Sequence, residues 1–361
     1  MLSRSNDVIV LLGAGASAKA GIPVSGKMNE DIEEFLRVRP DWQHFANLYH
    51  FVKCSILYAA SLRREKDAAA SYNVETLVNT LTEIEKGPAH PIYPFVTDWK
   101  SQLLSLVGPE FRTVSSFREK IVDQVKAWVQ PESKNKAKYY EGLKRLKNDL
   151  NFPLKVFSLN YDMCVEWLGT DDFRVETGFE PRGEELVWDW RRFDEANPHR
   201  EDVQIYLYKM HGSINWKRDE NDNLLAVDYT GSNIAAMELP IIFGRDFKLE
   251  AGDPYLFYAF EFRRSTLESK LILVIGYGFG DGHINKMIRQ ALRASPARKV
   301  VVVGHCTQEQ CPAKAKFIAG RLGVDPAKIH VLPASAEAFL CQPGIAKAVI
   351  ELVPEEEKTV F

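Results

Sequence analysis

The stretch Asp7-Val-Ile-Val-Leu-Leu-Gly13-Ala14-Gly15-Ala16-Ser17-Ala18 decides the fold. Its first half is a short β-branched run suited to a strand buried on both faces of a parallel sheet. Its second half is a Gly-x-Gly-x-x-Ala turn. The two glycines let the backbone turn tightly and let a phosphate come close, and Ala18 is small enough for a following helix to pack on the strand. A helix opening there would aim its free N–H groups at an anion. A tight turn with no ligand has the same residues. The context that phosphate binding requires, a strand before and a helix after, is what this stretch predicts.

Working outward, the pattern turns helical from Gly21. Pro23 and Ser25 act as start signals, and Met28, Ile32, Phe35 and Leu36 recur at helical spacing before Pro40. Further helices are expected over 42–64, 74–84, 92–107, 111–129 and 137–150, with almost no strand signal between them. The basic residues Lys134, Lys136, Lys138, Lys144, Arg145 and Lys147 read as a solvated helix face. The second core strand is 154–159, running into Asn160-Tyr161-Asp162 and a helix to Trp167. Residues 173–203 read as loops with short strands. Later strands are expected at 204–210, 240–243, 270–275, 299–303 and 329–332, with a hairpin turn at 219–223 and helices at 254–267, 284–293 and 313–322. This alternation argues an α/β fold: a Rossmann-like parallel sheet covered by helices. The expected organisation is a discontinuous core, 1–24 and 151–345, around a helical insertion, 25–150. The charged stretch Glu355-Glu356-Glu357-Lys358 reads as a frayed tail.

Composition narrows the function class. A net charge of -3 predicts no general attraction to nucleic acid or anionic membrane. No apolar run is long enough to span a bilayer, and the residues before the first strand are too few for a signal peptide, so a cytoplasmic protein is expected. The five cysteines, Cys54, Cys164, Cys306, Cys311 and Cys341, are scattered without a Cys-x-x-Cys pair, which reads as buried free thiols. The eight histidines show no metal-binding spacing, and no metal is expected.

Four unusual segments each follow an expected strand: 13–17, 160–162, 211–215 and 276–281. In a parallel doubly wound sheet the strand C-termini share one edge, where ligands bind, so these segments would meet. Gly13, Ala14, Gly15 and Ser17 are the phosphate-turn candidates, although Ser17 would also serve as a helix cap. Asn160 and Asp162 suit an Asx-turn as well as a site. His211, beside Gly212, suits a structural hydrogen bond as well as catalysis. Gly276, Gly278 and Gly280 permit close backbone approach, and Asp281 and Asn285 would cap a helix or bind ribose hydroxyls. Trp216 reads as core or pocket wall. The acid that dinucleotide folds carry ~20 residues after the glycines is missing at a strand end, because Asp31, Glu33 and Glu34 lie in a helix pattern. Hydride-transfer dehydrogenases of the usual plan are thereby disfavoured.

The set Gly13-Ala-Gly-Ala-Ser17 with Gly21-Ile-Pro23, Asn160-Tyr-Asp162 and His211-Gly212-Ser213 resembles the sirtuin superfamily. The closing Gly276-Tyr-Gly-Phe-Gly-Asp281 with Ile284-Asn285 resembles its bacterial, sirtuin-like antiphage branch. The resemblance implies NAD⁺ as substrate, its pyrophosphate on the glycine turn. Asn160 and Asp162 would then lie at the nicotinamide ribose and carboxamide region, with His211 as general base at the ribose. Two features of deacylating sirtuins are absent: a four-cysteine zinc ribbon, and an Asp-Phe-Arg after the Gly-Ile-Pro, where this chain has Val24-Ser25-Gly26.

The expectation is therefore an NAD⁺ glycohydrolase, cleaving NAD⁺ to nicotinamide and ADP-ribose in abortive infection. The competing readings are an NAD-dependent deacylase or ADP-ribosyltransferase, and a non-catalytic module that senses NAD or ADP-ribose. An unregulated NADase would kill its host, so the expected partners are further copies of the chain or a separate protein, such as a ring ATPase or Argonaute-type protein.

Overall fold

A computed structural model describes residues 7–63, 72–86, 97–108, 111–131, 133–194, 200–228 and 253–354. The chain opens with β1 (Val8–Leu12) and two 3₁₀ turns (Ala14–Ala16, Ala18–Ala20). A helical run follows: α1 (Ser25–Val38), α2 (Pro40–Gln43), α3 (Ala46–Leu62), α4 (Val74–Lys86), α5 (Thr97–Val107), α6 (Arg112–Trp128), a 3₁₀ segment (Lys134–Glu141) and α7 (Gly142–Leu150). Then come β2 (Leu154–Ser158), β3 (Arg174–Glu176), β4 (Phe179–Arg182), β5 (Glu185–Trp188), β6 (Val203–Lys209), β7 (Trp216–Arg218) and β8 (Leu224–Ala226). The remainder alternates: α8 (Tyr255–Glu268), β9 (Leu271–Ile275), α9 (Gly282–Ala294), β10 (Lys299–Gly304), α10 (Cys311–Leu322), β11 (Ile329–Pro333), α11 (Ala336–Cys341) and α12 (Ile345–Ile350). The strand expected at 240–243 and the tail at 355–358 lie outside the described residues.

Among the described residues, seven strands form one parallel sheet in the order β11-β10-β9-β1-β2-β6-β3. Chain order reverses at β1, with β2 on one side and β9 on the other, which is where a doubly wound sheet opens a crevice. Period-2 alternation splits the strand residues between two cores. Val8, Val10 and Leu12 face a cluster with Val156, Leu273 and the apolar stripes of α1, α3, α4 and α6. Ile9 and Leu11 face a second cluster with Phe157, Val274 and residues of α8, α9 and α10. The helices of 25–150 thus share one hydrophobic core with a face of the sheet. A second sheet, antiparallel in the order β4-β5-β8-β7, contributes Trp216 and Leu224 to the second core and includes the hairpin across 219–223. Trp216 is buried in the second cluster, as core.

Several local expectations are corrected. No α-helix opens at the glycine turn: two 3₁₀ turns take its place, the second ending at Gly21 in the left-handed region (φ 92°). Pro23, which has no N–H to donate, follows at once, so the helix is deferred to Ser25. The helix expected to run to Trp167 is reduced to a 3₁₀ turn, Glu166–Leu168. There the Asp162 carbonyl accepts from the Lys209 ammonium and its carboxylate Oδ1 from the Cys164 amide (3.0 Å), so the carbonyl is withdrawn from a helical ladder. The span 42–64 breaks into α2 and α3, and 137–150 begins as 3₁₀ before α7. Cys54 and Cys341 are exposed and Cys306 is half-buried, so only Cys164 and Cys311 are buried thiols.

The crevice is closed at its base by backbone contact. Gly15 N–H donates to the Gly276 carbonyl (2.8 Å), and Gly276 sits at φ 69°. A Cβ on Gly276 would lie 2.0 Å from Ala16 N, and one on Gly13 would lie 2.6 Å from the Tyr277 Cα. Gly276→Ala is therefore expected to cost about 1–3 kcal/mol for the left-handed backbone and a comparable ~1–3 kcal/mol for forced overlap. Urea unfolding followed by circular dichroism checks this. A midpoint equal to that of the unsubstituted protein would show that the two turns do not meet as described.

Candidate active site

The four segments read from the sequence follow β1, β2, β6 and β9. In space these are the neighbours β9-β1-β2-β6. Parallel registry carries their C-terminal ends to one edge, where they line a cavity of about 640 Å³. Gly13, Ala14, Gly15, Ser17, Asn160, Asp162, His211, Gly276, Gly278 and Asp281 all line it. Residues of α1, α4 and α6 line it as well, among them Met28, Asn29, Glu75 and Val125. The volume is of the size that small-molecule and cofactor sites take.

Ser17 is the junction between two of the segments. Its hydroxyl donates to Asp162 Oδ2 (2.6 Å), and Asn160 Nδ2 donates to Ser17 Oγ (3.0 Å). The Tyr140 hydroxyl lies 2.8 Å from the same oxygen. A serine hydroxyl has one hydrogen and two lone pairs, so with the hydrogen on Asp162 it accepts from both Asn160 and Tyr140 and is saturated. Ser17 is thus a buried cross-brace, and its side chain caps no helix, contrary to the sequence expectation. Asn160 Nδ2 also donates to the Gly13 carbonyl (3.0 Å), while its Oδ1 has no hydrogen-bond partner among the described residues. The Asx-turn reading of Asp162 holds: its oxygens take the Cys164 amide and Ser17. Beneath it Lys209, buried, pairs with Glu166 at 3.1 Å. Neither Tyr140 nor the Lys209–Glu166 pair carried a sequence signal, because both lie outside the motifs and reach them only through packing.

His211 is buried at the end of β6 and lies with Nε2 3.2 Å from Asp281 Oδ2. Nδ1 is buried, and the ring also lies against the Leu159 backbone, which favours its protonated form. Burial disfavours the charged ring. The hydrogen bond to Asp281 and the negative charges of Glu75 and Asp281 outweigh it, and the imidazole is held above its ordinary value. Burial likewise opposes the charge on Asp281, but His211 and the amides of Ile284 and His283 hold that carboxyl below its ordinary range. Asp281 therefore does two jobs: its Oδ1 caps α9 through the His283 amide (2.8 Å) and the Ile284 amide (3.1 Å), and its Oδ2 faces the histidine.

Asn285 stands apart from the other candidates. It is not among the residues lining the cavity. Its Nδ2 donates to the Phe279 carbonyl (2.9 Å) and its Oδ1 accepts from the Tyr277 hydroxyl (3.1 Å). Phe279 is a buried non-glycine residue at φ 56°, so Asn285 clamps a strained loop. In that loop only Gly276 is forced to be glycine by close approach, since a Cβ on Gly278 or Gly280 would meet nothing within 4 Å.

Sequence reasoning missed Glu75, in the first turn of α4. It lines the same cavity and its Oε1 accepts from the Tyr161 hydroxyl (3.2 Å). Nothing at positions 73–77 marks a site; an amphipathic helix start looks the same. Among the described residues no group of three or more His, Cys, Asp or Glu side chains could hold a metal ion. None of the described helices is long and apolar enough to cross a membrane.

Comparison with known proteins adds the following. Among solved structures, the chain is similar to one described as the structural basis for the mechanism and regulation of Sir2 enzymes, at 13% identity and a TM-score of 0.41, covering 97% of this chain and 94% of that one. It is similar to a Sir2 homologue in complex with NAD at 12% identity and a TM-score of 0.39, covering 96% and 90%. It is also similar to a variant of a Sir2 homologue bound to 2′-O-acetyl-ADP-ribose at 13% identity and a TM-score of 0.38, covering 97% and 94%. No curated protein matches the chain. Residues 154–319 match the family model described as the SIR2-like domain. The part of the chain from β2 into α10 is thus similar to the SIR2-like domain family.

Proposed function

We propose that the protein is an NAD⁺ glycohydrolase. The observation that carries this reading is the meeting of the glycine turn, Asn160 and the Asp281-braced His211 in one cavity at the switch point of a parallel sheet. The SIR2-like match over 154–319 and the motif resemblance to sirtuins support NAD⁺ as the ligand. The sequence has no four-cysteine ribbon, and Val24-Ser25-Gly26 rather than Asp-Phe-Arg follows its Gly-Ile-Pro, which favours hydrolysis over deacylation. Our reading places the activity in antiphage defence, controlled by self-assembly or by a separate partner protein.

In this mechanism the nicotinamide ring leaves neutral from a cationic state, so no strong general acid is required. The ribose carbon passes through an oxocarbenium-like state, as in other glycoside cleavages. Asn160, its amide group fixed on Gly13 and Ser17, presents Oδ1 to a ribose hydroxyl or water. His211 exchanges a proton with the ribose hydroxyl. Its ring is oriented and charged by Asp281. The glycine turn approaches the pyrophosphate with its backbone, since no side chain stands in the way.

Loss of a positioned base costs ~10²–10⁴ in rate. His211→Ala is therefore expected to lower nicotinamide release by that factor while circular dichroism shows the fold retained. Turnover near that of the unsubstituted protein, measured by chromatography of nicotinamide and ADP-ribose, would overturn the reading.

The pH dependence has a definite sign. The raised imidazole value means that the proton-accepting ring appears only as pH climbs past a point above about 6.5, so kcat/KM is expected to rise with pH through that point. Asp281→Asn removes the charge that favours the imidazolium and moves the rise to lower pH. NMR titration of the His211 ring alongside the pH–rate profile checks this, and an unmoved titration would show that Asp281 does not set the ring's charge.

A further inference from the structure

The strand ends supply the glycine turn, an amide, a histidine and two aspartates. The helical run supplies one more ionisable group, Glu75. α4 is fixed in the core by Val74, Leu77, Val78, Leu81 and Ile84, so the carboxylate at its first turn is held in place. One oxygen, Oε1, accepts from the Tyr161 hydroxyl, and Tyr161 is itself buried beside Asn160. The other, Oε2, has no hydrogen-bond partner among the described residues. Among the described residues no cationic side chain is bonded to it. Its charge interactions are with His211, which attracts it, and with Asp281, which repels it. Burial pushes the Glu75 carboxyl up. A half-buried carboxylate with one idle oxygen, beside a like charge, costs stability, and such costs concentrate at functional sites.

The reaction also needs more than His211 offers. One ring nitrogen, Nε2, is engaged with Asp281, and Nδ1 is buried. A ring in this position serves one hydroxyl. Hydrolysis has two O–H groups to manage, the ribose hydroxyl and the attacking water. Asp162 is already engaged at both oxygens, by Ser17 and by the Cys164 amide, whereas Glu75 keeps one oxygen without a partner among the described residues.

We propose that Glu75 is the catalytic base for water, its idle Oε2 receiving the proton as the water oxygen attacks the ribose. This rests on the NADase reading above. The bond from C1′ to the nicotinamide nitrogen breaks first, leaving an oxocarbenium-like ribosyl centre held in the site, and the water oxygen then bonds to C1′. The electron pair of the broken bond leaves with nicotinamide, which becomes neutral. The water proton passes to Glu75 and then to solvent. One NAD⁺ and one water give one nicotinamide, one ADP-ribose and one proton. His211 is left to the ribose hydroxyl.

The test is Glu75→Gln, which keeps an acceptor for the Tyr161 hydroxyl and removes the base. Two reactions are followed on the full chain: hydrolysis of NAD⁺, and exchange of labelled nicotinamide into NAD⁺, which breaks and remakes the same bond without water. The expected result is hydrolysis reduced by at least ~10²-fold, with exchange continuing and NAD⁺ affinity by calorimetry unchanged. Hydrolysis at the unsubstituted rate overturns the proposal, and so does loss of exchange in a variant that still binds NAD⁺. If Glu75→Gln binds no NAD⁺, Glu75→Ala with added azide decides. Azide attacks without a proton to lose, so recovered nicotinamide release supports the base role and continued silence overturns it. An unsubstituted protein that releases no nicotinamide and supports no exchange fails the NADase reading itself, a result distinct from an active protein indifferent to Glu75.

Discussion

Gly15 and Gly276 come from turns more than 250 residues apart in sequence, and their backbones touch. The Gly15 amide bonds the Gly276 carbonyl, and no side chain fits on the Gly276 side of that contact. β1 and β9 are neighbours in full register, so their exit turns must either collide or interlock. Glycine at both positions lets them interlock. This contact closes the floor of the cavity, and the cavity exists because the chain order of the sheet reverses at β1.

A second constraint ties the floor to the wall. The Ser17 hydroxyl joins the glycine turn to Asn160 and Asp162, and Tyr140 comes from the helical run to complete its shell. Tyr139, the neighbouring residue, donates to the Ala16 carbonyl (2.5 Å). The segment preceding α7 therefore grips both residues that follow the glycines. Buried polar groups are costly when unpaired and rigid when satisfied, which makes this junction a fixed support for the amide of Asn160. Lys209 does the same from below by binding the Asp162 carbonyl and Glu166. The site is thus braced from the sheet, from the second turn and from the helices of 25–150.

Those helices also line the site. Their apolar stripes merge with one face of the sheet in a single core. Met28, Asn29, Glu75 and Val125 reach the cavity directly. Variation in this segment would alter what the cavity admits and which acid it carries, while the strand ends keep their geometry.

Much of this was legible in the sequence. Period and β-branching located the core strands, because a strand buried on two faces has to be apolar throughout. Those strands carried Gly13, Asn160, His211 and Gly276 to their C-terminal ends, and parallel topology then required the four ends to share an edge. The sequence also showed which dehydrogenase feature was missing. Local pattern misjudged the conformation of 16–24 and 162–168, where hydrogen bonds from Tyr139, Ser17, Cys164 and Lys209 override helical propensity. It offered Ser17 as a helix cap, where the structure makes it a brace, and Asn285 as a ligand residue, although Asn285 lies outside the cavity lining. It gave no sign of Glu75, whose place in the cavity depends on how α4 docks against the sheet. Sequence alone determined which residues sit at strand ends, because that follows from periodicity along the chain. Only the tertiary structure decided which side chains face the cavity and what charge they carry, because burial and partners come from segments far apart in the chain.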